Sequence, residues 1–382
     1  MFIFSRDNTG LIARWWRNVD KQILILFGFL LLLGLFFSFS STTSIMSEKM
    51  NKQTYFFFIK HLMFVSISLF LIIAISVIEK DKLIKYFPLL FFVSLIILFL
   101  VPIFGIEIKG SKRWINLPFL PTFQPVELVK PLFIVFAAKA IVLNEKNNIY
   151  KRYFYSFLIL FFISIFLINQ PDIGQTLLLI SAWIAMIFVA GFNMYILTVL
   201  GISTIGVIFF LIYLFPSKFG YIILRLKTFF NPESGDNFSQ SQKALDAIKQ
   251  GGLTGQGMGE GILKDKVPEA HTDYIIAVIS EEFGAVFVLF IVIVFLFIAY
   301  KVLNKALSGN DEFIKLALVG LISILIIQTF IHIGVNTQLL PTTGMTLPFL
   351  SYGGSSLIGS SIIAGMILNF TREDFIRVKK DG

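Results

Sequence analysis

Apolar runs close to 20 residues long recur down the chain, and short polar segments separate them. A run of that length suits a helix crossing roughly 30 Å of hydrocarbon. The short alternating segments of a membrane β-barrel are missing. The pattern predicts ten transmembrane helices, at about 22–40, 55–78, 86–106, 127–143, 153–168, 174–190, 194–214, 274–300, 313–335 and 353–370. The expected fold class is an all-α polytopic membrane protein, one transmembrane domain over residues 1–382 with no separate soluble domain. Its longest interruption, about 215–273, lies between the seventh and eighth helices.

Composition agrees with the pattern and narrows the chemistry. The chain is 56% hydrophobic, and only 14% of its residues are charged, against about 25% in an average soluble protein. It has no cysteine, which excludes disulfides, thiol catalysis and Cys-ligated metals. His61, His271 and His332 are too scattered for a metal-binding spacing. No Walker sequence is present, so an ATP-driven pump is not expected. The net charge of +9 fits basic cytoplasmic loops facing anionic membrane lipids and does not call for nucleic acid.

Lysine and arginine set the orientation. With a cytoplasmic N-terminus, the inner segments hold 17 of them and the short outer loops hold 5. The long loop holds 7, but loops of that size translocate largely regardless of charge. Both termini are therefore expected in the cytoplasm, and the 215–273 loop and Asp273 outside. Arg6, Arg14, Trp15, Trp16 and Arg17 mark an uncleaved start, with the Trp pair at the membrane interface. Within the long loop, the stretch 219–232 could lie flat in the interface. Residues 251–261 then hold six glycines, a backbone able to turn sharply or approach a ligand closely.

Charged groups at membrane depth cost roughly 3 kcal/mol each and usually mark function. Four groups stand out. In "KGSKRWINLPFLPTFQPVELVK", Arg113 meets the outer interface, and Gln124, Glu127 and Lys130 enter the fourth helix. Glu127 and Lys130 are one turn apart and could form a local ion pair or belong to a cationic phosphate pocket. In "NQPDIGQT", Asp172 opens a helix, as a cap or as a functional acid. In "VPEAHTDYIIAVISEEFG", Thr272 and Asp273 could cap a helix beginning at Tyr274, but Glu281 and Glu282 lie roughly 12–13 Å inside it. The fourth, residues 332–361, is rich in Gly, Ser, Thr and Pro at membrane depth, where irregular backbone needs protein or a water-filled cavity around it. Lys60, His61 and Lys139 read as snorkelling groups. The four groups fall on the outer half of the bundle and predict an outward-facing polar cavity, suited to a substrate with a lipid tail, a pyrophosphate and a polar head.

These stretches, together with "GGLTGQGMGEG" and "GVNTQLLPTTGMTLPFLSYGGSS", resemble the RodA/FtsW family, the SEDS proteins, in order over nearly the whole chain. "PEAHTD", "DIGQT" and "WWRNVDK" are similar to the division branch, FtsW. The resemblance implies a peptidoglycan glycosyltransferase of the bacterial cytoplasmic membrane, acting at the division septum. It would polymerise lipid II into glycan strands with a class B penicillin-binding transpeptidase and other division proteins. The family's catalytic aspartate falls on Asp273, its arginine and lysine on Arg113 and Lys130, its "PD" aspartate on Asp172, and its serines on Ser351, Ser355 and Ser356. Two departures are visible: His332 stands where the family usually has Asn, and "LKDK" replaces an apolar and aromatic run before "PEAHTD".

The mechanism this implies makes Asp273 the general base on the acceptor sugar hydroxyl. An α-linked donor would give a β-linked product by inversion. Arg113 and Lys130 would stabilise the departing undecaprenyl pyrophosphate, and Glu127, Gln175, His271 and Thr272 join the expected site. No dedicated cofactor is implied. A divalent cation could accompany the pyrophosphate, although the sequence shows no cage for one. Glu281 and Glu282 read as buried hydrogen-bonding groups. The rival is a lipid II flippase, which needs the polar path to continue to the inner face. A third reading is a scaffold, for which the outer polar residues would be dispensable.

Overall fold

A computed structural model describes residues 10–42, 56–108, 111–116, 122–143, 149–214, 216–230 and 236–372. A helix stands at each of the ten predicted positions: α2 (Lys21–Thr42), α3 (Phe56–Val77), α4 (Lys80–Phe104), α5 (Val126–Leu143), α6 (Ile149–Asn169), α7 (Ile173–Val189), α8 (Met194–Leu214), α11 (Ile275–Ser308), α12 (Glu312–Asn336) and α13 (Gly354–Thr371). Seven are long and apolar enough to cross a membrane, and α7 is a shorter apolar helix. Arg6 and the segments 1–9 and 373–382, read as cytoplasmic ends, lie outside the described residues.

Three further helices and a hairpin complete the described residues, and of these only the helix over the stretch expected to lie in the interface was anticipated. α1 (Leu11–Asn18) precedes the first span, and it splits the Trp pair. Trp15 is buried and its indole N–H donates to Ser76 Oγ (2.9 Å), while Trp16 is exposed. α9 (Pro216–Phe230) and α10 (Asp236–Gly251) fill the first part of the long loop. Strands β1 (Ile106–Ile108) and β2 (Ser111–Trp114) pair antiparallel, with Ile106 opposite Trp114. The fold is thus helical with one small hairpin, too short for a pattern of spans to reveal.

α5, α12 and α13 form the centre. Phe133, Ile134, Leu318, Leu321, Ile363 and Ile367 are buried there. α3 and α13 pack along their length, and small residues permit the approach: a Cβ at Gly354 would overlap the Phe64 ring. His61, on that face of α3, is fully buried against Tyr352, with ring centroids 5.7 Å apart. It does not snorkel, because its helix turns it inward. Lys139 is half-buried and reaches the Ile84 carbonyl (3.4 Å).

α11 is two helices joined at Gly284, where φ is +81° and ψ is 172°. Such a break leaves backbone groups without helical partners. The glycine-rich loop supplies them. Gln256 and Gly257 N–H donate to the Glu281 and Glu282 carbonyls (2.9 and 3.0 Å), and Ala285 and Val286 N–H donate to Gly252 and Leu253 (2.9 and 3.2 Å). A Cβ at Gly255 would overlap the Glu282 carbonyl. Gly251 and Gly255 therefore serve close backbone packing; none of residues 251–261 lines the cavity described next.

The glutamates hold this loop in place. Glu281 accepts from the N–H groups of Leu263 and Lys264 (both 2.7 Å). Glu282 pairs with the Lys264 ammonium, and accepts from Ser40 Oγ and from Gly259 N–H (3.2 Å). Lys264 comes from the "LKDK" segment, so that departure places a cation against a buried carboxylate.

Candidate functional site

A cavity of about 850 Å³ opens among α3, β2, α5, α7, α9 and the segments 269–274 and 342–356. Asp273, Thr272, Arg113, Glu127, Gln175, Ser355 and Ser356 line it. Lys130, Asp172, His271 and Ser351 were expected at the same site, but are not among its lining residues.

A tight turn presents Asp273. Glu269 takes a left-handed conformation (φ +57°), and its carbonyl accepts from Thr272, Asp273 and Tyr274 N–H (3.0, 3.1 and 3.2 Å). Tyr274 is the N-cap of α11 and makes no side-chain capping bond. Thr272 Oγ1 donates to Glu269 Oε2 (3.0 Å). Across the cavity, Gly344 (φ +69°) faces Asp273, and a Cβ there would lie 3.7 Å from Oδ2.

The hairpin brings Arg113 to the rim. Its Nε donates to the Gln170 carbonyl (2.9 Å) and a terminal nitrogen donates to the Pro171 carbonyl. Another terminal nitrogen lies 3.7 Å from Asp172. Asp172 is buried and accepts from Gln124 Nε2 (3.0 Å). It is the N-cap of α7 and, with Gln124 and Arg113, it organises the rim. Burial pushes its carboxyl above the usual carboxylate range, and the charge of Arg113 opposes that shift.

Lys130 lies beneath the cavity. It is 1% exposed and pairs with Glu127 (2.8 Å), as the one-turn spacing allows, and donates to Gln328 Oε1 (3.3 Å). Gln175 Nε2 donates to Glu127 Oε1 (3.1 Å). The local ion pair is formed, and Lys130 meets the cavity through Glu127. His271 packs its ring against both Phe57 and Tyr352, with centroids 5.6 Å from each. Ser351 Oγ donates to the Thr272 carbonyl (2.7 Å) and accepts from Leu347 N–H (2.8 Å). Ser355 Oγ accepts from Gln124 N–H (3.0 Å), and Ser356 Oγ is within 2.5 Å of Thr346 Oγ1.

Several lining residues had not been singled out for the site: Lys60, Arg225, Thr343, Thr346 and Tyr352. Lys60 is exposed to the cavity with its ammonium 4.7 Å over the Phe56 ring, where snorkelling had been expected. Arg225 was visible as a charge in an apolar stretch; that α9 would carry it to the cavity was not. Burial pushes the Tyr352 phenol up, so it stays a neutral hydrogen-bonding group. The wall carries three cations (Lys60, Arg113, Arg225) and three carboxylates (Glu127, Glu269, Asp273). Among the described residues, no three His, Asp or Glu side chains converge to hold a metal ion.

Fold and site together define a polytopic membrane protein with an acid- and base-lined cavity at one end of its bundle. The chain belongs to the FtsW/RodA/SpoVE family of cell cycle proteins, whose model matches residues 21–375. It is 31% identical over 373 residues to the probable peptidoglycan glycosyltransferase FtsW of Caulobacter vibrioides, covering 97% of this chain and 93% of that one. It is 32% identical over 367 residues to the Haemophilus influenzae protein of the same name, covering 93% and 91%. Among solved structures, the fold is similar to a chain of a peptidoglycan synthase complex that coordinates polymerization and crosslinking. The TM-score is 0.77 at 24% identity, covering 92% of this chain and 97% of that chain. It is also similar to the rod shape determining protein RodA of Thermus thermophilus, with a TM-score of 0.68 at 24% identity, covering 93% and 97%.

Proposed function

We propose that this chain is a division-type peptidoglycan glycosyltransferase, polymerising lipid II at the outer face of the cytoplasmic membrane with Asp273 as general base. The observation that carries this reading is the place of Asp273. It is held by a strained turn on a cavity wall that also bears Arg113, Lys60 and Arg225. The cavity has room for a sugar and a diphosphate, and the family relatives named peptidoglycan glycosyltransferase support the substrate class.

In the proposed step, Asp273 takes the proton of the acceptor sugar's 4-hydroxyl as its oxygen attacks the donor's anomeric carbon. The bond from that carbon to the pyrophosphate oxygen breaks, and undecaprenyl pyrophosphate leaves with the electron pair. One displacement inverts the α-linked donor to a β-linked product, so a single base suffices. Arg113, fixed by two carbonyls, meets the developing charge without reorganising. Lys60 and Arg225 add to the positive potential, and Lys130 acts by neutralising Glu127. A divalent cation, if used, would come with the substrate's phosphates, and no step here depends on it.

Ten spans, cytoplasmic termini, an outer loop over about 215–273 and a septal location complete the proposal. So do a class B penicillin-binding transpeptidase and other division proteins as partners. The solved relative's place in a synthase complex supports such a partnership. A flippase needs polar lining through to the inner face. Below Lys130, the described core is instead closed by Phe133, Ile134, Leu318 and Leu321. The test is polymerisation of labelled lipid II by the protein with its transpeptidase. Wild type should make long glycan, and Asp273→Asn and Asp273→Ala, folded alike, should make none. Equal polymerisation by the variants would remove Asp273 from the chemistry.

A further inference from the structure

Three consecutive carbonyls, those of His271, Thr272 and Asp273, lead into α11, ahead of the bond from Ala277 N–H to Tyr274. Each is met by a donor from another part of the fold. Tyr352 N–H donates to His271 (2.9 Å), Ser351 Oγ to Thr272 (2.7 Å), and Asn336 Nδ2 to Asp273 (3.1 Å). The N–H groups of 272–274 all turn back on Glu269. Two of the three incoming donors are side chains.

Both side chains are buried, Asn336 at 0% and Ser351 at 2% exposure. Neither lines the cavity. They come from opposite ends of the 337–353 segment, Asn336 closing α12 and Ser351 just before α13. α12 also fixes the facing wall: His332 Nδ1 is 2.8 Å from the Met345 carbonyl, one turn before Asn336. Asn336, which holds the Asp273 carbonyl, and His332, which holds the wall opposite, are therefore on the same helix.

We infer that Asn336 and Ser351 are positioning residues for Asp273. They hold its main chain so that the carboxylate meets the acceptor hydroxyl. The inference rests on the reading of Asp273 as the base. A base displaced by about 1 Å can lose as much as a hundredfold in rate, whereas substrate binding depends on the rest of the cavity.

The experiment compares Ser351→Thr, Ser351→Val and Asn336→Leu in lipid II polymerisation, with Asp273→Asn alongside. Thr and Val differ by one hydroxyl, and Leu removes the amide donor at similar volume. We expect Ser351→Thr near wild type. Ser351→Val and Asn336→Leu should each lose about tenfold in kcat, with KM for lipid II within about twofold and the melting temperature retained. Full turnover by the Val and Leu variants, while Asp273→Asn is inactive, overturns the positioning role alone. So does loss only in step with KM or melting temperature. If Thr falls as far as Val, the added methyl is responsible and Ser351 is withdrawn. If Asp273→Asn polymerises like wild type, the general-base reading fails and the positioning role falls with it.

Discussion

Lys130 and Glu127 show how a charge can look functional in sequence and act from below. Both are almost fully buried, 2.8 Å apart, with Gln175 and Gln328 completing their hydrogen bonds. Removing one partner of such a pair strands the other, which costs about 3–5 kcal/mol, whereas replacing both by neutral groups costs far less. Lys130→Met should therefore lower the melting temperature of the purified protein sharply. Glu127→Gln with Lys130→Met should recover most of that loss. A double variant no more stable than Lys130→Met would show that Lys130 matters through something other than Glu127. The spacing of the two residues announced the pair. It did not announce which of them would face the cavity, because that depends on how α5 is rotated against α7 and α12. The same limit hid Lys60 and Arg225 and moved Ser351 and His271 off the wall. Asp273 and Arg113 were legible because each stands beside a break in the chain, where a polar side chain has few other places to go.

At the scale of elements, the apolar runs located all ten helices to within a few residues, except where charge obscured an end. α4 begins at Lys80, inside the charged "KDKLIK" that the hydropathy pattern assigned to a loop. α10 was unreadable for the opposite reason: it is polar, and an amphipathic helix of 16 residues leaves little trace in a search for spans. The glycine-rich loop was visible, but its partner was not, since only the fold reveals that it crosses α11 at Gly284. That crossing makes a graded prediction. At Gly259 (φ +84°) a Cβ meets nothing within 4 Å, so Gly259→Ala should cost only the left-handed penalty of roughly 1–2 kcal/mol. At Gly255 (φ +78°) and Gly284 (φ +81°) a Cβ would also overlap main chain, the Glu282 and Leu253 carbonyls respectively. Gly255→Ala and Gly284→Ala must separate the loop from the helix break and should destabilise the protein well beyond Gly259→Ala. Melting curves of the three variants check the ranking; equal losses would mean that the crossing is not tightly packed.

Over the whole molecule, polar groups concentrate at two ends for different reasons. At one end, ion pairs tie neighbouring elements together: Arg152 with Glu312, and Lys305 with Asp20 (3.8 Å). Arg372 and Asn369 donate there to carbonyls at the end of α3. At the other end the cavity opens, with its carboxylates and cations along the wall. The orientation proposed from the lysine and arginine bias would put the first end in the cytoplasm and turn the cavity outward, the side on which the proposed polymerisation takes place. A chain without cysteine allows a direct test. Single cysteines at exposed positions should divide cleanly. Thr254→Cys, on the glycine-rich loop, should react with a membrane-impermeant maleimide on intact spheroplasts. Lys82→Cys and Ser308→Cys, at the ion-paired end, should react only after permeabilisation. The reverse pattern would place Asp273 on the cytoplasmic side. There it could not act on substrate outside the membrane, and the polymerase reading would fail together with the orientation.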